Sequence, residues 1–130
     1  MGSTIREVMV SPVVTATRHH TVADACRLMH HHGIGALPIV DPDGVPVGLV
    51  TVWDLVRPDA LPDCAVEAVM SRRVATISEA EDARRAARIM SRHGLHHLLV
   101  TRHGVLIGIV SAFDLLALVD APGGGARVPA

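Results

Sequence analysis

The stretch GLVTVWDL, residues 48–55, reads as a strand that runs into a helix: Leu49, Val50, Val52 and Trp53 surround two polar side chains, Thr51 and Asp54. The pattern returns at residues 108–115, GIVSAFDL, with Ser111 in the place of Thr51 and Asp114 in the place of Asp54. A hydroxyl and a carboxylate three residues apart at a helix start, present twice, are the feature to be explained.

Working outward, the repetition extends through the chain. Val8-Met9 matches Val69-Met70, Thr15 matches Thr76, Met29 matches Met90 and Gly33 matches Gly94, all 61 residues apart. After the pair Val40 and Thr101 the offset falls to 60, linking Gly44 to Gly104, Gly48 to Gly108 and Asp54 to Asp114. The lost residue falls in a turn, where DPDG (41–44) becomes RHG (102–104). Turns tolerate such a change, whereas in a strand it would flip the faces. The halves are residues 5–57 and 66–119, joined by a linker at 58–65, with 120–130 expected to be a disordered tail.

Each half carries the same signals. A short extended piece (Val13–Thr15; Val74–Ile77) precedes a helix capped by Thr21 or Asp82. One helix face holds Val22, Ala25, Cys26 and Met29, the other Ala83, Ala86, Ala87 and Met90. Gly33 and Gly94 are natural stops. Two strands follow in each half, Ala36–Val40 with Val45–Val50 and His97–Thr101 with Val105–Val110, around turns with hairpin chemistry. A last helix begins near Trp53 or Phe113. Each half is β-α-β-β-α and too small to bury its faces alone, so the two should pack together.

At 130 residues with 49% hydrophobic side chains, there is ample material for a core, and it is aliphatic, since Trp53 and Phe113 are the only aromatics. A formal net charge of −1 argues against a general polyanion binder. No segment approaches the roughly 18 apolar residues of a membrane span. Cys26, expected to be buried in its helix, and Cys64 in the linker form no CxxC and no disulfide framework, so a reducing cytoplasm is the default location. No nucleophile elbow, Walker loop or convincing Cys/His pair points to catalysis.

Two readings of Thr51/Asp54 and Ser111/Asp114 compete. In one, the hydroxyl caps the third helical N–H and the carboxylate reaches back, as in a capping box, with Asp also favoured by the helix dipole. In the other, free N–H groups and the hydroxyl at the helix start hold a phosphate. The carboxylate one turn on accepts the two hydroxyls of a ribose, and Gly48 and Gly108 let the ligand approach the backbone.

At this point the chain resembles the paired cystathionine β-synthase (CBS) domains, or Bateman module, whose repeats of about 60 residues are likewise β-α-β-β-α. The resemblance rests on GIGALPIV (33–40) with GLVTVWD (48–54), and GLHHLLV (94–100) with GIVSAFD (108–114), and covers Ile5 to about Val119. It implies a mixed α/β (α+β) fold of two pseudo-symmetric repeats packed sheet to sheet. It also implies two clefts for an adenosine-containing ligand: AMP, ADP, ATP or S-adenosylmethionine. Carried over, Ser111 and Asp114 face Thr15, Ala16, Ile34 and Gly35, and Thr51 and Asp54 face Thr76, Ile77, Leu95 and His96. The sequence departs from the family pattern at Leu99, where the other half has Pro38. It departs again two residues after the strand-entry glycines, where a basic side chain often contacts phosphate and this chain has Gly35 and His96. The cleft with His96 therefore suits a phosphorylated ligand better.

His30, His31 and His32 end the first helix, His93 ends the second, and His96, His97 and His103 lie nearby. Imidazoles at a helix C-terminus meet the negative end of its dipole and need no metal. Adjacent strand residues such as His96 and His97 point to opposite faces, so no metal site is expected. Arg84, Arg85, Arg88 and Arg92 make a basic stripe that reads as a solvated face balanced by Glu79, Glu81 and Asp82. An acidic partner or nucleic acid is the alternative.

The functional expectation is a stand-alone regulatory pair that senses an adenosyl ligand, requires no cofactor, dimerises through its apolar last helices and signals to a partner. A dimeric structural or stress-response adaptor without a nucleotide, and a histidine-based metal-responsive protein, are the rival readings.

Overall fold

A computed structural model describes residues 2–119; the expected tail at 120–130 lies outside them. The fold is mixed α/β with two sheets, and the chain divides into two compact units. One comprises Pro12–Val74 with His103–Leu106, the other the residues up to Ser11, Ala75–Arg102 and those from Ile107 onward.

In the first unit, helix α2 (Val22–His32) is capped as the sequence predicts. Thr21 Oγ1 accepts from Asp24 N–H at 3.0 Å, Asp24 accepts from Thr21 N–H at 2.9 Å, and Gly33 closes the helix at φ +63°. Its inner face is Val22, Ala25 and Met29. Cys26, one position round the wheel from Ala25, is exposed, which corrects the expectation of burial. Strands β1 (Ala36–Val40) and β2 (Pro46–Thr51) pair antiparallel, Leu37 opposite Val50 and Ile39 opposite Gly48, with a bulge between Ile39 and Val40. Leu37, Ile39 and Val50 are fully buried. Each such side chain contributes about 1.5–3 kcal/mol of transfer free energy, so this hairpin anchors the unit. Val13–Thr15 forms no strand. Only Ala16 reaches β1, donating to Pro38 O at 3.1 Å and accepting from Val40 N–H at 2.9 Å. The four-residue α3 (Val52–Leu55) follows β2 directly.

The second unit opens with α1 (Ile5–Val8), which the sequence reading assigned to the first repeat. Ile5 is fully buried among Ile77, Ala83, Ala86 and Met90. Conversely a 3₁₀ turn at Val66–Ala68, from the start of the second repeat, packs in the first unit, where Val66 is fully buried with Val22, Leu37 and Val50. These leading segments also satisfy orphan N–H groups at helix starts. Ser3 O accepts from Ala83 N–H at 2.8 Å, and Cys64 O and Pro62 O accept from Val22 and Ala23 at 2.8 and 2.9 Å. The remaining elements are β3 (Thr76–Ser78), α4 (Ala83–His93), β4 (His97–Arg102), β5 (Val105–Ser111) and α5 (Leu116–Val119). The sheet order is β3-β4-β5, with β3 parallel to β4. Asp82 caps α4 through Arg84 N–H, and Gly94 ends it at φ +65°. Where the first hairpin uses DPDG, the shortened RHG turn places His103 at φ 51° and Gly104 at φ 81°. Two consecutive positive φ values are what a two-residue hairpin loop demands.

Glu79, beside this sheet, is buried and accepts from Arg6 Nε at 2.8 Å and from Arg102 through Nε and through Nη2 at 2.9 Å. The Arg102 and Arg6 hydrogen bonds pull its carboxyl down to about 2.

Candidate ligand-binding site

Both signature turns are built the same way from β-strand to helix. Thr51, extended at φ −115° and ψ 169°, donates through its N–H to Asp54 Oδ2 at 2.8 Å and through Oγ1 to the same oxygen at 3.2 Å. In the second copy Ser111 N–H donates to Asp114 Oδ2 at 2.8 Å, and Ser111 Oγ accepts from Asp114 N–H at 3.1 Å. The capping-box chemistry is therefore real. It occupies only one oxygen of each half-buried carboxylate: among the described residues Oδ1 of Asp54 and of Asp114 has no hydrogen-bond partner. The helix dipole adds little, because α3 has four residues and the second copy runs through a turn at 112–115 before α5 begins.

Each turn is tied to the strand entry of its own repeat. Val52 N–H donates to Gly35 O at 3.3 Å, and Ala112 N–H donates to His96 O at 2.9 Å. The first unit thus brings Gly35 to Thr51 and Asp54. Ile34 is half-buried next to Gly35, Thr15 is exposed, and Ala16 is buried with its backbone spent on β1. The second unit brings His96, exposed, to Ser111 and Asp114, with Leu95 half-buried beside it. Thr76 is exposed on β3, and Ile77, opposite Val100, is buried. The neighbouring His97 is half-buried. Its pKa is held below the ordinary value by burial first and His96 second, against the pull of Asp114.

The open side of Gly48 and Gly108 serves a different purpose from the close ligand approach expected of it. A Cβ on Gly108 would stand 2.5 Å from Met9 Sδ and 3.3 Å from the Val10 carbonyl oxygen, and a Cβ on Gly48 would overlap the Met70 side chain. The methionines of the repeated Val-Met pair lie across these strands, so the glycines make room for them. The signal was visible as the matched pairs Met9/Met70 and Gly48/Gly108; what they touch was not.

Two concave surfaces lie in the first unit, of which one adjoins the turn. An apolar groove of about 380 Å³ is lined by Cys26, Met29, Ile34, Val52, Leu55 and Val56, among others. A larger and wide-open one, about 730 Å³, runs along His20, Asp24, Arg27 and His31 on the outer face of α2, away from the Thr51 turn. We regard it as helix surface, since Asp24 and Arg27 there are already paired with each other. His31 and His32 meet edge to face with ring centres 4.9 Å apart. Among the described residues no group of three or more His, Cys, Asp or Glu side chains is placed to hold a metal ion. Nor, among them, is any helix long and apolar enough to cross a membrane.

Two copies of a strand–turn–helix carrying Ser/Thr and Asp, on a duplicated mixed α/β fold, define a tandem-repeat module. The CBS domain matches residues 5–59 and 66–121, and the chain belongs to that family. Over 115 residues it is 30% identical to an L-aspartate semialdehyde sulfurtransferase of Methanocaldococcus jannaschii, covering 88% of this chain and 23% of that protein. It spans about a quarter of the length of the first curated relatives it matches. An uncharacterised 17.7 kDa protein of Acidianus ambivalens is 31% identical, with 92% of this chain and 76% of that one covered. Among solved structures, the CBS domain pair of protein MJ0100 in complex with 5′-methylthioadenosine and S-adenosyl-L-methionine superposes with a TM-score of 0.83 at 28% identity, covering 91% of this chain and 96% of that one.

Proposed function

We propose that this chain is a regulatory CBS pair that binds an adenosine-containing ligand. In each repeat the signature turn supplies the ribose contact: Thr51 with Asp54 in one, and Ser111 with Asp114 in the other. The observation that carries the reading is the uncommitted Oδ1 on each half-buried aspartate, a charged acceptor held in place by the capping bond of its twin oxygen. Such an acceptor suits a pair of ribose hydroxyls. The ligands of the MJ0100 pair, both adenosyl thio-compounds, support the same class. The family's part in longer relatives named for sulfur or acetyl transfer is read here as regulation, and the chain itself as non-catalytic.

Binding shifts a conformational equilibrium by the ligand's differential affinity for the two states, and a partner reads the outcome. A dimer is the assembly proposed: Trp53 and Phe113 are each 78% exposed, with Val56, Leu116 and Val119 also more than half exposed. Apolar surface of that kind marks interaction sites. Light scattering at tens of micromolar tests the dimer. Isothermal titration with S-adenosylmethionine, 5′-methylthioadenosine, AMP and ATP tests the ligand, with a 2′,3′-dideoxy analogue as the control. Saturable binding that the dideoxy analogue loses is the expected result. Absence of binding by all four would leave the dimeric adaptor as the function.

A further inference from the structure

One charged surface is used by neither the fold nor the proposed ligand. Helix α4 exposes Arg84, Arg85, Arg88 and Arg92, and Arg85, Arg88 and Arg92 line a depression of about 150 Å³ with His93 and the half-buried Ile89. The three carboxylates expected to neutralise the stripe do so only in part. Glu79 is turned to Arg6 and Arg102. Asp82 holds Arg84 at 3.0 Å and Glu81 holds Arg85 at 3.6 Å. Among the described residues Arg88 and Arg92 have no carboxylate partner. Four guanidinium groups against Glu81 and Asp82 leave this face positive on a chain whose formal net charge is −1.

Only Arg92, in the last turn, suits the helix dipole, and only Arg85 makes an i,i+4 ion pair, with Glu81. Like charges at Arg84/Arg88 and Arg88/Arg92, four residues apart, oppose helix formation, and Arg84 and Arg85 sit at the positive end of the dipole. Nor does the repeat architecture require this arrangement. On α2, 61 residues earlier, Asp24, Arg27, Leu28 and His31 occupy the positions of Arg85, Arg88, Ile89 and Arg92, and Arg27 is paired with Asp24. The apolar centre is kept in both copies, and only α4 surrounds it with unneutralised guanidinium groups.

We propose that this face of α4 docks an acidic helical segment of a partner protein. Arg88 and Arg92 lie one turn apart, about 6 Å along the axis, a spacing that carboxylates four residues apart on a second helix reproduce. The planar guanidinium fork pairs with carboxylates in a way an ammonium does not. Ile89, beside them in the same depression, would be covered by an apolar side chain of the same segment, which distinguishes an amphipathic acidic helix from a bare polyanion such as duplex DNA.

Fluorescence anisotropy with a labelled, stapled helical peptide, carrying Glu one turn apart on either side of a Leu, tests this directly. Saturable binding is expected. It should weaken at least about tenfold in Arg88→Glu/Arg92→Glu and with the Glu→Gln peptide, and should fade as salt rises from about 0.05 to 0.5 M. A Lys version of the peptide should regain affinity for the reversed variant. Arg88→Gln/Arg92→Gln serves as the milder pair if the reversal perturbs the fold, judged by circular dichroism. No saturable binding to the wild type, or tighter Arg-dependent binding to duplex DNA than to the peptide, would overturn the proposal. So would a change of oligomeric state in the double variant, which would assign the face to contact between copies.

Discussion

On the proposed function Asp114 has two tasks for its two oxygens, the cap seen at Ser111 and the ribose contact, and substitution can separate them. In Asp114→Asn the amide oxygen can still accept from Ser111 N–H, now as a neutral acceptor. Hydrogen bonds to charged groups are worth about 1.5–3 kcal/mol and neutral ones about 0.5–1.5. The cap should therefore weaken by about 1 kcal/mol, a few degrees in Tm for a chain of this length. In Asp114→Ala the Ser111 N–H loses its acceptor, and about 0.5–2 kcal/mol goes with the cap. The ligand sees a different change. The Oδ1 free in this structure becomes an NH2 in Asn and disappears in Ala, so the ribose hydroxyls lose a charged acceptor in both. At about 1.4 kcal/mol per decade, affinity should fall roughly ten- to a hundredfold in both variants. Isothermal titration well below the lower Tm, beside chemical denaturation of each variant, reads the two effects separately. Stability losses in the expected range with affinities unchanged within about twofold would refute the ribose assignment and leave the aspartates as caps alone.

Three further outcomes follow from the packing and charge. Gly108→Ala forces its Cβ against Met9 and the Val10 carbonyl and should cost about 1–3 kcal/mol by denaturant unfolding, partly relieved in combination with Met9→Ala. Relief is absent if the two do not touch. The Glu79 carboxyl is lowered to about 2 from an ordinary 4.5, so its contribution to stability is fully present above about pH 5 and is lost as pH falls through 2. Glu79→Gln should be less stable at pH 7 and show a shallower loss between pH 5 and 2, followed by thermal melts across that window. His103 holds a left-handed backbone, so His103→Val should destabilise by about 1–2 kcal/mol, whereas His103→Gly should not; equal effects would exclude backbone strain as the cause.

Local chemistry was legible in the sequence. Thr21 and Asp82 announced helix starts, Gly33 and Gly94 the stops. The one-residue loss at RHG marked a turn that the structure completes with His103 and Gly104 at positive φ. The capping box and the ligand site looked like rivals because residue types alone do not say that one carboxylate oxygen is spent and the other spare. Pairings distant in sequence were hidden. Met9 on Gly108, Met70 on Gly48, and Ile5 buried beside Ala83 depend on contacts that no local period encodes. Cys26 failed for a related reason: it lies at the edge of the buried stripe of α2, where only a covering element decides burial, and none of the described residues covers it.

The traded leading segments bear on how such a chain is inherited. Each repeat carries, ahead of its own helix, the plug for the other repeat's core: Ile5 in one direction and Val66 in the other. Cutting the gene in the linker would therefore release two fragments, each with an open socket and a homeless plug, the condition that drives domain-swapped association. A recombination event that copies one repeat alone transmits half of a lock. The pair, rather than the single repeat, is thus the smallest unit in which both cores are filled.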